Sequence, residues 1–168
     1  ESPFSFVEDS IHELEYYSVN EECDIEGEHA FEIDIVDSKA PVPLKTVGKP
    51  KEPWDANDSI FYPDARNHCG IDMNCWKITT MTQITMSCQD STPHPVGNEV
   101  IYYKVELDGD DITAEKYCPS QNFDANAWCI EESGTQLIFT EESEHNLAYY
   151  CEDALGNTNL AIDDEKFK

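Results

Sequence analysis

Short runs of alternating apolar and polar residues, separated by turn signals, dominate the second half of the chain. The runs include "WKITTMTQITMSCQ" at 76–89, "EVIYYKVEL" at 99–107 and "NLAYYCED" at 146–153. Side chains in a β-strand alternate between two faces, so this pattern predicts strands with one buried face. Strands recurring about every 8 to 12 residues without a helical period indicate an antiparallel sandwich or barrel.

The first half is less regular. "HAFEIDIVDS" at 29–38 alternates apolar residues with acids and predicts a half-buried strand. Residues 4–19 fit either an amphipathic helix opening on a capping box at Ser10–Glu13 or an extended arm. The prolines between 41 and 63 indicate a loop or an edge crossing. We therefore expect a boundary near residue 75. It would separate an acidic, proline-interrupted N-terminal region (1–75), either an extended arm or a degenerate second β domain, from a β domain (76–168).

The charge balance narrows the classes of partner. The 168 residues include 36 Asp and Glu against 10 Lys and Arg, a formal net charge of −26. Phosphates and anionic lipid surfaces would be repelled, so we expect no nucleic-acid partner. The sequence has no apolar run long enough to span a membrane, so we expect no membrane insertion. Residues 1–38 carry 13 of the acids and no Lys or Arg. That region suits cationic partners or divalent cations.

The seven cysteines indicate the compartment. They show neither CxxC nor zinc-finger spacing, so we expect disulfides formed in an oxidising, extracellular or secreted environment. They are Cys23, Cys69, Cys75, Cys88, Cys118, Cys129 and Cys151.

The segment 76–163 resembles the immunoglobulin superfamily. "MSCQ", "IYYKVELDG" and "LIFTEESEHNLAYYC" stand where that family has its second, third, and fifth to sixth strands, and "CEDALGNTNLAI" looks like the last hairpin. The resemblance implies an antiparallel β-sandwich with a Cys88–Cys151 disulfide. It makes Tyr149 the corner tyrosine, with its hydroxyl bonded to the backbone just upstream. Tyr149 and Cys151 would be buried on one face and Tyr150 would lie on the other.

The segment also departs from the family pattern. Tyr102 replaces the usual core Trp, the Asp-x-Gly before the corner tyrosine is absent, and an extra cysteine pair is present. Cys118 and Cys129 lie 11 residues apart across a polar loop and form a natural second pair. The pairing of Cys23, Cys69 and Cys75 stays open, and one possibility joins Cys23 to Cys69 in a degenerate second domain.

Motifs for catalysis are absent from the sequence. We find no nucleophile elbow, no phosphate-binding glycine loop and no His-Glu-x-x-His, so we expect no enzyme and no catalytic residue. The histidines are scattered and expected on the surface or in turns: His12, His29, His68, His94 and His145.

Two acidic segments are candidate calcium sites, while no other cofactor is expected. "DANDS" (Asp55–Ser59) and "DGDD" (Asp108–Asp111) offer the carboxylate oxygens that hard cations prefer, although the same residues are ordinary in turns. Asn57 begins an Asn-Asp-Ser glycosylation sequon, which suits a surface loop of a secreted glycoprotein.

The sequence therefore predicts a non-enzymatic extracellular module that binds other protein chains or itself. It would be an adhesion module, a receptor ectodomain or a filament subunit assembled by strand exchange. The alternative is a secreted, lipocalin-like β-barrel carrying a small ligand among Met81, Met86, Tyr102 and Phe139. A secreted hydrolase with dispersed carboxylates is a third, weaker class.

Overall fold

The chain folds into β-strands with a single short π-helical turn (Thr113–Tyr117) among the described residues. The computed structural model describes residues 3–54, 75–93, 95–159 and 163–168. Its strands are β1 (Ser10–Tyr16), β2 (Ala30–Val36), β3 (Val42–Val47), β4 (Lys51–Pro53), β5 (Cys75–Ile78), β6 (Gln83–Gln89), β7 (Val100–Leu107), β8 (Asp110–Asp111), β9 (Cys129–Glu132), β10 (Gln136–Ile138), β11 (His145–Glu152) and β12 (Asp163–Phe167). The expectation of a mainly β chain is confirmed.

The strands form three sheets. β1 and β2 form a separate hairpin, and a three-stranded sheet has the order β10-β6-β3. The largest sheet has the order β4-β5-β12-β11-β7-β8, with β9 also paired to β7. The β5–β12 pair is parallel and the other pairs are antiparallel. Within the described ranges no sheet closes into a barrel, so the enclosure that a lipocalin-like carrier needs is not formed.

The long β7–β11 pair sets which aromatic side chains are buried. Tyr149 lies opposite Tyr103, and Tyr150 opposite Tyr102. Tyr103 and Tyr149 face the core at 0% and 3% exposure, whereas Tyr102 and Tyr150 stack on the outer face with ring centroids 4.7 Å apart. The expectation that Tyr102 fills the place of the core Trp is therefore wrong by one position. One step along a strand moves a side chain to the opposite face.

One hydrophobic core lies between the two larger sheets. The Cys88–Cys151 disulfide crosses it from β6 to β11, and Cys118–Cys129 is the second described bridge, the two pairs named from the sequence. The core is contributed by strands of both sheets and by Tyr117, Cys118 and Phe139: Val47, Ile84, Met86, Cys88, Ile101, Tyr103, Val105, Tyr117, Cys118, Cys129, Leu137, Phe139, Leu147, Tyr149, Cys151 and Phe167.

Tyr149 also bonds across the sheet. Its hydroxyl donates to Oε1 of Glu165 on β12 at 3.4 Å. The family resemblance implied a bond to the backbone just upstream. In the structure the Glu165 carboxylate on the neighbouring strand accepts this hydrogen bond, which links β11 to β12.

The expected boundary near residue 75 cuts through two sheets. β3 pairs with β6 over Val42–Val47, and β4 pairs with β5 over Lys51–Pro53. Both strands occupy sheet edges, where a proline removes no essential ladder bond. The described part of the proline-rich segment, up to Pro53, thus belongs to the two larger sheets. Among the described strands, β1 and β2 form a sheet of their own.

The remaining described cysteines correct a further expectation. Cys23 is exposed and free, so its pairing with Cys69 is wrong. Cys75 is disulfide-bonded, and Cys69 lies outside the described residues. In the part of the chain that the structure describes, no helix has the length and apolarity to cross a membrane.

The two described disulfides should differ in their effect on stability. The loops they close span 63 and 11 residues. Chain-entropy arguments give about 4 kcal/mol for the longer loop and about 3 kcal/mol for the shorter. Cys88→Ala/Cys151→Ala should therefore lower the free energy of unfolding in urea by more than Cys118→Ala/Cys129→Ala. Equal losses would contradict this ranking.

Candidate functional site

The β1–β2 hairpin presents an exposed apolar face. Ile11 pairs with Ile35, and Ile33 and Phe31 follow on the same side of β2. Ile33 is 70% exposed, Phe31 62%, Ile11 56% and Ile35 46%. We call this surface, with Glu13 and Glu15 between the apolar side chains, the open face. Contiguous apolar surface of this kind marks interaction sites in soluble proteins.

The other face of the hairpin is partly covered by its own chain. Phe6 stacks on His12 with ring centroids 4.0 Å apart. His12, Leu14 and Asp34 are half-buried there, in contrast to the open face. Aromatic rings preceding β1 thus shield one side and leave the other for solvent.

Hydrogen bonds fix the base of the hairpin. The Ser38 hydroxyl donates to Asp9 Oδ2 at 3.0 Å and ties the two chain ends of the hairpin together. The side-chain amide of Asn157 donates from Nδ2 to the Asp37 carbonyl at 3.1 Å. This bond joins the base of the hairpin to the turn after β11. An isolated two-stranded hairpin is marginal in water, so these bonds help to hold the open face in place.

The hairpin carries a strongly acidic surface. Residues 1–38 contain 13 acids and no Lys or Arg, and Glu13 and Glu15 lie on the open face itself. A complementary surface would bring apolar side chains bordered by Lys or Arg.

A second feature is a cleft of about 600 Å³ at the other end of β11. Ile78 and Phe139 form part of its wall, together with the acidic loop that runs from Glu141 to His145. His145 stacks on Phe139 with ring centroids 4.1 Å apart. The cleft therefore combines an apolar floor with several titratable groups.

Glu141 is held as an anion. Burial alone would raise its pKa, but hydrogen bonds from the Lys116 ammonium and the Tyr117 hydroxyl outweigh that effect and lower the pKa of Glu141 to about 2. Burial and the bond to Glu141 raise the pKa of Tyr117 to about 12. Both groups keep one protonation state near neutral pH, so this pair stabilises the loop and is poorly suited to exchange protons.

His145 is a histidine that the sequence placed on the surface but that is only 2% exposed. Burial lowers its pKa, although Glu141 partly opposes the shift. Its Nε2 lies 3.6 Å from Glu141 Oε2, too far for a hydrogen bond. Ser143 in the same loop donates its hydroxyl to Asp108 and not to His145, so no activated nucleophile is assembled from these side chains.

Of the two candidate calcium segments, the structure describes 108–111. At 108–111, Asp108 Oδ1 accepts bonds from the Ser143 hydroxyl and the Glu144 amide, and Asp111 Oδ1 accepts from Thr113. These carboxylates brace turns. Asp55–Ser59, including Asn57, lies outside the described residues.

Two other groups of side chains have metal-ligand spacing among the described residues. Cys118, Cys129 and Glu131 form one, but the two sulfurs are bonded to each other in a disulfide and are not thiolates that could bind a metal. The second group, Asp37, Asp90 and Asp153, brings three buried carboxylates together.

No motif in the sequence predicted this second group, although a signal for part of it exists. Asp90 and Asp153 each stand two residues after a disulfide-bonded cysteine, in "CQD" and "CED". Residues two apart share a strand face, so a bond between the cysteines also brings the aspartates together. Asp37 carries no comparable local signal.

Acidification should destabilise the fold through His145. Its folded pKa lies below the unfolded value of 6.5, so the unfolded state binds more protons once the pH falls below about 6.5. Stability should therefore drop between pH 6.5 and the lower folded pKa. Urea unfolding at pH 7.5 and 5.5 should show a smaller loss in His145→Gln than in the wild type. Identical losses would contradict this role.

Comparisons with known proteins supply no relative. No protein-family model, no curated protein and no solved structure matches the chain. The function is therefore inferred from the hairpin, the core and the clusters themselves.

Proposed function

We propose that the chain is a non-enzymatic extracellular interaction module, in which an immunoglobulin-like sandwich carries an N-terminal hairpin that binds another protein. The open face of the hairpin is the observation that carries the proposal. It exposes four large apolar side chains between acids, on a two-stranded sheet that needs further contacts for stability.

The sheet arrangement supports the sandwich. Two sheets share one core, and a disulfide joins β6 in one sheet to β11 in the other, as in immunoglobulin domains. β3, β6 and β10 would form one layer of the sandwich, and β12, β11 and β7 the centre of the other.

The described disulfides support the extracellular setting. Bonds such as Cys88–Cys151 and Cys118–Cys129 persist in oxidising compartments and are rare in the cytosol.

The partner is a protein surface with exposed apolar side chains bordered by Lys or Arg. A second copy of this chain suits the open face less well, because each copy carries a formal charge of −26. β1 is already paired with β2 along its full length, so exchanging β1 between copies would have to break that pairing, and a neighbour's strand could otherwise pair only with an outer edge of the hairpin.

A labelled ten-residue peptide of alternating Lys and Val provides a defined probe with this chemistry. Ile33→Ser/Ile35→Ser should weaken its binding at least tenfold in fluorescence anisotropy, since burying each isoleucine contributes roughly 1.5–3 kcal/mol. The matched control, Met81→Ser/Leu155→Ser, removes two exposed apolar side chains elsewhere and should bind like the wild type.

A second pair of variants separates the charges of the open face from total charge. Glu13→Gln/Glu15→Gln should weaken peptide binding more than Glu21→Gln/Glu22→Gln, which removes the same charge near the hairpin turn. If the two acidic double variants weaken binding equally, and the two apolar double variants also have equal effects, the binding depends on the total charge alone. That result would contradict the proposal. A wild-type dimer in light scattering that Ile33→Ser/Ile35→Ser abolishes would instead identify a second copy as the occupant.

A further inference from the structure

We propose that Asp37, Asp90 and Asp153 bind one calcium ion at the junction of the three sheets. The three residues follow the ends of β2, β6 and β11 by one position each, and these strands belong to three different sheets. Carboxylate oxygens of all three residues lie within 4.8 Å of one another. Opposite ligands of calcium are separated by about 5 Å, twice its usual oxygen distance.

The burial of the three residues makes the cluster unusual. Asp37 is 9% exposed, Asp90 8% and Asp153 4%. Three carboxylates in one buried space repel each other, and burying a charge is costly unless an opposite charge accompanies it. Among the described residues, no Lys, Arg or His forms an ion pair with any of them.

A buried carboxylate oxygen without a hydrogen-bond partner supports a cation at this cluster. Oδ2 of Asp37 is buried without a hydrogen-bond partner, while its Oδ1 accepts the Lys39 amide at 3.0 Å. Buried polar atoms are almost always satisfied, and an ion in the adjacent cluster would satisfy this one.

Backbone amides orient the other two carboxylates. Asp90 accepts bonds from the Ser91 and Val96 amides at 2.7 and 2.8 Å. Asp153 accepts from the Leu155 and Asn157 amides at 2.8 and 2.9 Å. Each Asp90 oxygen accepts one of these bonds, and Asp153 Oδ2 accepts one bond, from the Asn157 side chain. A second lone pair on each of these three oxygens is therefore left for a cation.

The Cys88–Cys151 bond assembles this part of the site. It holds the ends of β6 and β11 together at a Cα separation of 5.8 Å, and the two aspartates follow their cysteines by two residues. The Asn157 side chain then bridges Asp153 Oδ2 and the Asp37 carbonyl, at 2.8 and 3.1 Å. An ion here would clamp the base of the hairpin to both larger sheets, and the inference does not depend on what the hairpin binds.

Isothermal titration calorimetry tests the site. The full chain is first treated with a chelator to remove bound divalent cations, and it is then titrated with CaCl₂ in 150 mM NaCl. One ion should bind with Kd at or below about 1 mM, as in extracellular calcium modules. At about 100 times Kd, the melting temperature should rise by roughly 5 to 10 °C. Failure to bind, or binding of Mg²⁺ with equal affinity, would overturn the proposal.

Asp37→Asn is the sharpest variant because it keeps the oxygen that accepts the Lys39 amide. It should retain a cooperative melting transition in EDTA, weaken calcium binding at least tenfold and lose the calcium-dependent rise in melting temperature. Asp90→Asn should weaken calcium binding as well, and it also gives up one of the two backbone bonds to that carboxylate. Asp110→Asn, an exposed member of the 108–111 segment, removes the same charge and should bind calcium like the wild type. Wild-type affinity in Asp37→Asn, or loss of binding in Asp110→Asn alone, would overturn the assignment.

Discussion

The covalent link between β6 and β11 is the constraint on which most of this structure depends. It joins two sheets whose inner side chains form one core, and it fixes the position of one sheet over the other. Along β6, Ile84 and Met86 share the inward face with Cys88, and along β11, Leu147 and Tyr149 share that face with Cys151. Continuing two residues beyond each cysteine, the same alternation leads to Asp90 and Asp153. One cross-link therefore organises both the apolar core and its acidic border.

The β1–β2 hairpin differs from the two larger sheets in how its apolar and charged side chains are exposed. Its apolar side chains alternate with acids as in a half-buried strand, yet no described element covers the open face. Its acids repel one another, while the exposed isoleucines and Phe31 form the apolar surface that the proposed binding would bury. This combination of acidic and apolar side chains is the basis for proposing a partner that is both apolar and cationic.

Much of the second half could be predicted from the sequence because its signals are local. The alternation in 99–107 and 146–153 located β7 and β11, and "DG" at 108–109 marked the hairpin turn from β7 to β8, where both residues have positive φ. The buried tyrosine of β7 was misplaced by one position because "YY" offers two equal candidates. The partner strand, through Tyr149 opposite Tyr103, decides between them.

Long-range pairing explains the other errors. β3 and β4 join strands that lie more than 20 residues later, and their prolines suggested a loop because only the sheet position shows that they lie at edges. Residues 10–13 fitted a capping box, but pairing with β2 makes them a strand. The sequence also did not predict that Asp37 lies beside Asp90, because 53 residues separate the two positions.

The route by which the hairpin joins the body has a mechanical consequence. β2 ends at Val36, and β3 begins at Val42. Tension applied to the hairpin would enter β3 at that end, where Val42 lies opposite Gln89 and Pro43 opposite Cys88. The first pairs to bear load thus lie beside the disulfide. The hydrogen bonds between β3 and β6 carry the pull into β6, and the disulfide carries it on into β11. Both larger sheets therefore share the load for as long as the β3–β6 pairing holds.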